Sequence, residues 1–213
     1  MYLLQVTKDQ QTWRKEFKKD GAPAPKAAAP APAPAKKVEK KKKKGLPILE
    51  YQERGTKWVI ENHDAVTAKN VSDTGLLEVE ISDPKQQVYI FNCDNVTVKM
   101  NGPKCKSIII DTCTKVNVIF NNIISGCELV NSKRIQVQVE GVCPTFTIDK
   151  TQGATVYLSA ESMKVSSFVT SMSSEMNVSF PDGDEIKEAP IPEQFHHKLV
   201  NGSVTSEVSD LYH

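Results

Sequence analysis

The stretch IFNCDNVTV, residues 90–98, returns as IDTCTKVNV at residues 110–118, twenty positions later. A third copy, VNSKRIQV, occupies residues 130–137, and shorter relatives begin at residues 60–66 (IENHDAV) and 148–151 (IDKT). A fixed period of this length is typical of stacked-repeat proteins, in which each repeat covers the apolar face of the next. The repeat therefore has to be explained by any fold proposed for this chain.

Each copy combines an alternating strand, a small polar corner and a second alternating strand. Thr97, Asn117 and Gln136 each lie between two apolar neighbours, which is the period of two expected of a half-buried strand. The corners lack the Asn-Gly or Asp-Gly pair that closes a tight hairpin, which disfavours an up-and-down sandwich, the main alternative. We therefore predict an all-β chain folded as a parallel β-helix, with about twenty residues in each coil.

Equivalent positions of successive coils stack in a β-helix, so the repeats predict three columns of side chains. Cys93 should lie over Cys113 as a pair of small buried groups. The inward aliphatic column should consist of Val96, Val116 and Ile135. A polar residue precedes each corner, and its side chain is expected to hydrogen-bond the corner backbone. These residues are Asn92, Thr112 and Asn131.

The charge of the chain is divided unevenly along its length. The 213 residues carry a formal net charge of +1, but residues 1–48 hold 13 lysines and arginines against 4 acidic residues. The remainder holds 14 basic and 22 acidic residues and is therefore acidic. An acidic domain is a poor partner for nucleic acid, so we do not expect nucleic-acid binding.

Cysteine and hydropathy patterns narrow the class of protein further. The five cysteines show no Cys-x-x-Cys spacing and no histidine cluster accompanies them, so we expect no disulfide framework, no metal site and no cofactor. The chain has no apolar run of membrane length and no signal-peptide pattern, so we expect no membrane span. These features predict a cytoplasmic protein in a reducing compartment.

Composition divides the chain into four segments. Residues 1–20 form a short motif region, and residues 21–45 form a linker in which proline alternates with alanine before the run Lys40–Lys44. Such a linker cannot bury a core and should be extended. Its prolines could bind profilin or a Src-homology-3 domain, and its lysines could serve either as a solvated spacer or to steer an acidic partner. We assign the β-helix to residues 46–180 and a C-terminal arm to residues 181–213.

The C-terminal arm carries a hairpin signal. The segment PIPEQF, residues 190–195, should be extended because proline excludes helix. Two alternating strands then flank Asn201-Gly202, the strongest short hairpin signal. An isolated hairpin is marginal in water, so it should either cap its own β-helix or exchange onto a second subunit. The predicted dimerisation residues are Pro190, Pro192, Phe195, Leu199, Val200, Asn201 and Gly202.

Several strings of this chain resemble the C-terminal part of the cyclase-associated protein family. They are VYIFNC at 88–93, NSK at 131–133, VQV at 137–139, IDKT at 148–151, SSEMNV at 173–178, PIPEQF at 190–195 and Asn201-Gly202. The resemblance covers roughly residues 49–205. It implies a right-handed parallel β-helix that forms a strand-exchanged dimer through its C-terminal hairpin. The segment VTKDQQT, residues 6–12, is similar to part of the family's WASP-homology-type actin motif, which makes residues 1–20 a partial actin motif.

The same resemblance implies a function in actin turnover. Members of the family bind ADP-loaded G-actin and promote exchange of ADP for ATP, which recycles monomers for the actin cytoskeleton. No bond is made or broken, so we expect no enzymatic activity. Family members carry a helical N-terminal domain that works with cofilin, which implies cofilin as an indirect partner. The predicted actin contacts are Lys115, Asn131, Lys133, Asp149, Lys150, Val204, Thr205 and Glu207, together with Val6 and Thr7 in the upstream motif.

Two other function classes share the β-helix architecture. Tubulin-cofactor-C-type proteins stimulate a GTPase with a projecting arginine, and Arg134 is the corner arginine available for that role. Carbohydrate-cleaving β-helix enzymes need paired carboxylates in a groove, whereas the acidic residues here are scattered. The histidines show no catalytic spacing.

Overall fold

The computed structural model describes residues 45–210 of the chain. The predicted actin motif with Val6 and Thr7, and the linker up to residue 44, lie outside the described residues. The elements in chain order are β1 (Ile48–Gln52), a 3-10 turn (Glu53–Gly55), β2 (Lys57–Glu61), α1 (Ala65–Val71), β3 (Leu76–Glu80), β4 (Gln87–Phe91), β5 (Asp94–Asn101), β6 (Lys104–Asp111), β7 (Thr114–Phe120), β8 (Asn122–Val130), β9 (Lys133–Val139), β10 (Thr145–Asp149), β11 (Gln152–Tyr157), a 3-10 turn (Ser162–Lys164), β12 (Ser167–Ser171), β13 (Ser174–Asp182), β14 (Glu185–Pro190), β15 (Phe195–Val200) and β16 (Ser203–Val208).

The strands alternate between two seven-stranded sheets. The first, here called sheet A, has the order β1-β2-β4-β6-β8-β10-β12, and the second, sheet B, has the order β14-β13-β11-β9-β7-β5-β3. Neighbours are parallel except at β1–β2 and β13–β14, where the pairing is antiparallel. Each coil thus gives one strand to each sheet, which confirms the predicted parallel β-helix. Parallel crossovers of this kind are right-handed in nearly all proteins.

The core between the sheets consists of the inward columns that the repeat predicted. Val96 pairs with Val116, and Ala154 pairs with both Ile135 and Met176 across the next coils of sheet B. All five side chains are buried. The predicted aliphatic column is confirmed, and it extends two coils further than the sequence repeat indicated. Full burial of each valine or isoleucine side chain contributes roughly 1.5–3 kcal/mol.

The polar residues before the corners do something other than predicted. Asn92, Thr112 and Asn131 have φ angles of 51°, 55° and 49°, so each lies in the left-handed region where the chain changes sheet. Their side chains hydrogen-bond neighbouring side chains instead of corner backbone groups: Asn92 Nδ2 donates to Asn62 Oδ1 at 2.7 Å. The prediction of backbone bonds from these side chains was wrong because the left-handed turn directs them outward, along the corner.

The next residue in each coil makes the backbone bonds instead. Ser132 Oγ accepts from the amide of Cys113 at 3.1 Å and donates to the carbonyl of Val130 at 2.7 Å. Thr151 makes the equivalent bonds, with its hydroxyl 3.3 Å from the amide of Ser132 and 3.1 Å from the carbonyl of Asp149. Buried backbone groups need such partners. This column of hydroxyl and thiol side chains is here called the hydroxyl ladder. It consists of Cys93, Cys113, Ser132, Thr151 and Ser173.

Cys93 and Cys113 form the first two steps of the hydroxyl ladder, and their predicted stacking is confirmed. Both side chains are buried. Each thiol points at the carbonyl two residues before it, Cys113 Sγ lying 3.3 Å from the oxygen of Asp111. The hydrogen bond with Cys93, together with burial, raises the pKa of the Cys113 thiol far above its usual value. The thiol therefore remains protonated and serves as a donor.

A short helix, α1, is inserted between the two strands of the first coil, β2 and β3. Asp64 Oδ1 accepts from the amide of Thr67 at 2.9 Å, and the Thr67 hydroxyl accepts from the amide of Asp64 at 2.7 Å, which forms a capping box before α1. The repeat pattern predicts an ordinary copy at residues 60–66 and does not reveal this helix. The spacing Asp-x-x-Thr was the signal that could have revealed it.

The C-terminal region differs in its boundary from the predicted one. β13 continues to Asp182, past the predicted limit at residue 180, and β14 pairs with it along six residues. Pro190 therefore belongs to sheet B, and the amide of Ile191 still donates to the carbonyl of Met176 at 2.8 Å. The extended arm begins after this bond and leads into the predicted hairpin of β15 and β16.

Candidate functional site

The corner at which the chain passes from sheet A to sheet B is the candidate functional site, here called the AB corner. Five of the predicted contact residues lie on it, at or within two residues of a strand end. They are Lys115, Asn131, Lys133, Asp149 and Lys150. Parallel strands lie about 4.8 Å apart, so equivalent positions of successive coils form continuous columns along this corner.

Part of this corner is organised by Asp111, at the end of β6. Its carboxylate accepts from Tyr89 Oη at 3.2 Å, from Thr112 Oγ1 at 2.9 Å and from Asn131 Nδ2 at 3.4 Å. Burial and the nearby charge of Asp111 raise the pKa of Tyr89 to about 12, so the phenol remains a donor even above pH 10, where an ordinary tyrosine ionises. Asn131 is thereby held in place from one coil away.

The neighbouring pair Asp149 and Lys150 is less constrained. Lys150 Nζ lies 3.6 Å from Asp149 Oδ2, and both side chains are substantially exposed. Exposed ion pairs contribute little to stability, about 0–1 kcal/mol. Both groups are therefore available to a partner at a small energetic cost.

A groove lies beside the AB corner on the outer face of sheet B, with a volume of about 420 Å³. Lys115 and Arg134 lie on its corner side, in the same column as Asn95 and Gly153. Its other side is formed by polar residues in register on three adjacent strands, Asn117, Gln136 and Thr155. We call these five residues, Lys115, Arg134, Asn117, Gln136 and Thr155, the cationic groove.

Arg134 is absent from the predicted actin-binding set, although it was the arginine considered for GTPase stimulation. It aligns with Lys115 when the repeats at residues 110–118 and 130–137 are superposed. That alignment was the available signal. Asn117 and Gln136 entered the sequence prediction only as evidence for strands, because a single repeat does not show that outward residues of three coils share one groove.

Both cations of the cationic groove have left-handed backbone conformations. The φ angles are 54° at Lys115 and 55° at Arg134. This region costs most residues about 1–2 kcal/mol, whereas asparagine and glycine tolerate it. The flanking coils have those tolerant residues at the same place, Asn95 with φ 58° and Gly153 with φ 75°.

The C-terminal arm starts at the same corner. Glu175 is next in the column after Gly153, its carboxylate accepting from Gln152 Nε2 at 3.0 Å. The amide of Glu175 donates to the side chain of Glu193 in the arm at 3.2 Å. A partner that binds along the AB corner would therefore also meet the base of the arm.

The hairpin has one apolar and one polar face. Phe195 pairs with Val208, and Leu199 pairs with Val204, so these four side chains lie on one face, with the hydrogen-bonded pair His197 and Ser206 between them. The opposite face carries Val200, Thr205 and an ion pair between Lys198 and Glu207, which lowers the pKa of that exposed carboxylate. The structure thus separates residues that the sequence prediction grouped: Val204 lies with Leu199, and Val200 lies with the polar residues. Asn201 and Gly202 form the turn, with φ 49° and 80°.

Every residue from Phe195 to Val208 is exposed, and within residues 45–210 the hairpin strands pair only with each other. Among the described residues, both sheets have an exposed strand edge at the C-terminal end of the β-helix. Sheet B ends there in the antiparallel strand β14, whereas sheet A ends in β12 with no further strand among the described residues. Val165, Val169 and Met172 are exposed in and around β12. An open edge with apolar side chains is a template for another strand.

The fold and the AB corner define a class of protein. It is a parallel β-helix domain that presents a long polar corner, an open groove and an exposed hairpin. A profile of the family described as adenylate cyclase associated (CAP) C terminal matches residues 47–211. The chain therefore belongs to this family, which confirms the predicted resemblance.

Relatives in several animals agree with this assignment. The chain is 41% identical over 152 residues to adenylyl cyclase-associated protein 2 of Rattus norvegicus, covering 71% of this chain and 29% of the relative. It is 36% identical over 168 residues to the Homo sapiens protein of the same name, covering 79% of this chain and 33% of the relative. The chain is 41% identical over 159 residues to adenylyl cyclase-associated protein of Hydra viridissima, and the match covers 74% of this chain and 30% of the relative. The chain thus spans about a third of the length of these relatives.

A solved structure shares the fold. The crystal structure of cyclase-associated protein from Cryptosporidium parvum matches with a TM-score of 0.69 and 30% sequence identity. The match covers 78% of this chain and 96% of that one.

None of the helices described in the present chain is long and apolar enough to cross a membrane.

Proposed function

We propose that this chain binds monomeric actin, with preference for the ADP-loaded form, and promotes exchange of ADP for ATP. The observation that carries the proposal is the AB corner, where polar residues of successive coils form one continuous edge. A rigid β-helix orders few groups when it binds, so little of the binding free energy is lost to ordering. Family membership supports a role in the actin cytoskeleton.

The proposed mechanism is differential binding without covalent chemistry. A domain that binds the actin state with weakened nucleotide contacts more tightly than the ATP-loaded state shifts the population toward the former. Nucleotide then leaves faster, although no bond is made or broken by this chain. We therefore propose that it is not an enzyme and that it acts as a monomer-recycling factor in the cytoplasm.

We propose a homodimer as the active form. The apolar side chains Phe195, Leu199, Val204 and Val208 are exposed on the hairpin, and the exposed Val165, Val169 and Met172 beside the open edge of β12 would cover them on a second copy. Exchange of such an arm is a low-cost route to a dimer, because each subunit supplies what the other lacks. Two AB corners would then be joined in one particle. The Pro-rich linker remains a proposed profilin ligand, and cofilin a proposed indirect partner.

Release of a fluorescent nucleotide from ADP-actin, with and without this chain, tests the proposal. We expect faster release at sub-stoichiometric dimer and a reduced rate for the double variant Lys133→Ala, Lys150→Ala. The matched control is Lys85→Ala with Lys106→Ala, since both are exposed lysines away from the AB corner. Unchanged release, with no actin binding by sedimentation, would exclude the proposed function.

Stimulation of a GTPase is the second candidate function. The observation that favours it is the exposure of Arg134, which has no carboxylate partner within residues 45–210. A projecting arginine can stabilise the charge of a phosphoryl-transfer transition state. GTP hydrolysis accelerated by the native chain and abolished in Arg134→Ala would favour this function over actin exchange.

A further inference from the structure

Two neighbouring positive charges lie at the corner side of the cationic groove. Among the described residues 45–210, no ion pair is formed by Lys115 or by Arg134. They occupy the same position of adjacent parallel strands, whose backbones lie about 4.8 Å apart. Like charges placed side by side on a sheet repel each other. The fold therefore holds two positive charges next to each other without a directly bonded carboxylate, Glu175 being the acidic residue that shares a neighbouring cavity with Arg134.

The backbone at these two positions is also unfavourable for the residues that occupy them. Asn95 and Gly153 show that the column accepts residues that are unstrained at positive φ, yet lysine, arginine and, at Glu175, glutamate occupy three of its five positions. Strained backbone is often found where a side chain serves binding. The two cations are thus retained despite both electrostatic repulsion and an unfavourable backbone region.

The shape of the groove indicates the form of the ligand. It passes over β5, β7, β9 and β11, so three strand spacings give it a length of about 14 Å. An extended peptide covers that length with about four residues. Asn117 and Gln136 each present an amide that can both donate to and accept from a peptide backbone. The lining contains no carboxylate among the described residues, although the domain as a whole is acidic.

We propose that the cationic groove binds an extended acidic peptide segment of about four residues. Lys115 and Arg134 would bind two of its carboxylates, Arg134 in a bidentate manner, while Asn117 and Gln136 hydrogen-bond its backbone. The inference rests on the proposed function in one respect: the acidic segment is assigned to the surface of the actin monomer that the domain binds. The cationic groove would then help to select which surface of the actin monomer the domain binds.

The test uses a fluorescein-labelled peptide of alternating glutamate and aspartate, with a glutamine and asparagine peptide of equal length as the neutral probe. Anisotropy measures binding to the full chain, and amide chemical shifts locate the contact. We expect the acidic peptide to bind at residues 115–136, to weaken as salt is raised, and to compete with monomeric actin. The double variant Lys115→Asn, Arg134→Gly should bind both the peptide and actin at least tenfold more weakly.

This double variant relieves the left-handed strain, so we expect it to melt no lower than the native chain, and its loss of binding is not explained by unfolding. Glu175→Gly is the matched control, because it has the same left-handed conformation, with φ 56°, but carries the opposite charge. It should bind the acidic peptide at least as tightly as the native chain.

Any of four results with the peptide would overturn the inference: equal binding of the neutral peptide, stronger competition by inorganic phosphate, shifts confined to another face, or native peptide affinity in the double variant. Actin binding that survives in the double variant would overturn the inference and leave the proposed function standing. Peptide binding at the groove without any actin binding would instead remove the proposed function and support an acidic segment from another protein.

Discussion

The AB corner and the C-terminal hairpin differ in how far their side chains are buried. At the AB corner, the hydroxyl ladder links successive coils and is buried except at Ser173, which is half-buried, with Ser132 and Thr151 each 1% exposed. In the hairpin, every side chain of β15 and β16 is exposed, with Leu199 at 76% and Val204 at 68%. The corner is stabilised by its own chain, whereas the hairpin presents apolar side chains that no other described residue covers. We therefore expect stability and assembly to depend on different regions.

The largest expected effect is on the free energy of unfolding, and it should come from a substitution in the core and not from one in the hairpin. Ile110→Ala removes a fully buried side chain that pairs with Ile90 and Leu129 on both sides of β6. We expect the free energy of unfolding to fall by about 2–5 kcal/mol, because a cavity remains in a packed interior. Urea denaturation at low protein concentration measures it. Leu199→Ala is the control and should change the monomer by less than about 0.5 kcal/mol; an equal loss in both would contradict the comparison.

Substitutions in the hairpin should weaken dimer formation and leave the stability of the monomer unchanged. Leu199→Asp with Val204→Asp places two charges on the apolar face, and we expect the dimer dissociation constant to rise about 100-fold, since burying an unpaired charge is costly. Sedimentation equilibrium gives the constant, and circular dichroism should show an intact β-helix. Thr205→Asp, on the polar face, should leave dimerisation nearly unchanged. Dimers of native strength in the double variant would place the interface elsewhere.

A smaller effect is expected within the hydroxyl ladder. Ser132→Ala leaves the buried amide of Cys113 without its acceptor, so unfolding should become easier by about 1–3 kcal/mol. Ser132→Cys should recover part of that loss, because cysteine fills the equivalent place in the two preceding coils. Thermal melts of the native chain, Ser132→Ala and Ser132→Cys measure these differences in stability. If cysteine proves no better than alanine, the thiols of Cys93 and Cys113 are packing groups and not hydrogen-bond donors.

The smallest effect concerns Tyr89, which joins sheet A to the AB corner. Its folded pKa is raised to about 12 from the ordinary 10, so the stabilisation is present below pH 10 and is lost as pH rises from 10 to 12. The free energy of unfolding should therefore decline in that window. Tyr89→Phe should remove this component of the decline, and ultraviolet difference spectra against the native chain should show one phenol titrating late. A phenol that titrates at its ordinary pH would contradict the proposed hydrogen bond to Asp111.

Much of the fold could be predicted because the repeat makes each residue appear several times in one environment. The inward column of Val96, Val116 and Ile135 follows from the period of two within a strand and of twenty between coils. The stacking of Cys93 on Cys113 follows for the same reason. The capping box of Asp64 and Thr67 has its own sequence signal, but the similarity of this segment to the repeat hides it.

The candidate site could be predicted only in outline. The spacing of the repeats indicated that Lys115, Lys133 and Lys150 share a corner, because corner residues of successive coils stack. It did not indicate that the groove includes Asn117 and Gln136, since their common outward direction depends on sheet register. Nor did it indicate the left-handed backbone at Lys115 and Arg134, residue types that seldom adopt it.

The sequence by itself determined the parallel β-helix, the order of its coils and the presence of a C-terminal hairpin, because these follow from local alternation, a fixed period and an Asn-Gly turn. Only the tertiary structure decided which side chains meet. The register of β7, β9 and β11 brings the residues of the cationic groove together, and the pairing of β15 with β16 assigns Val204 and Val200 to opposite faces. The physical reason is that a one-residue change of register moves a side chain to the other face of a sheet, and register is set by long-range packing.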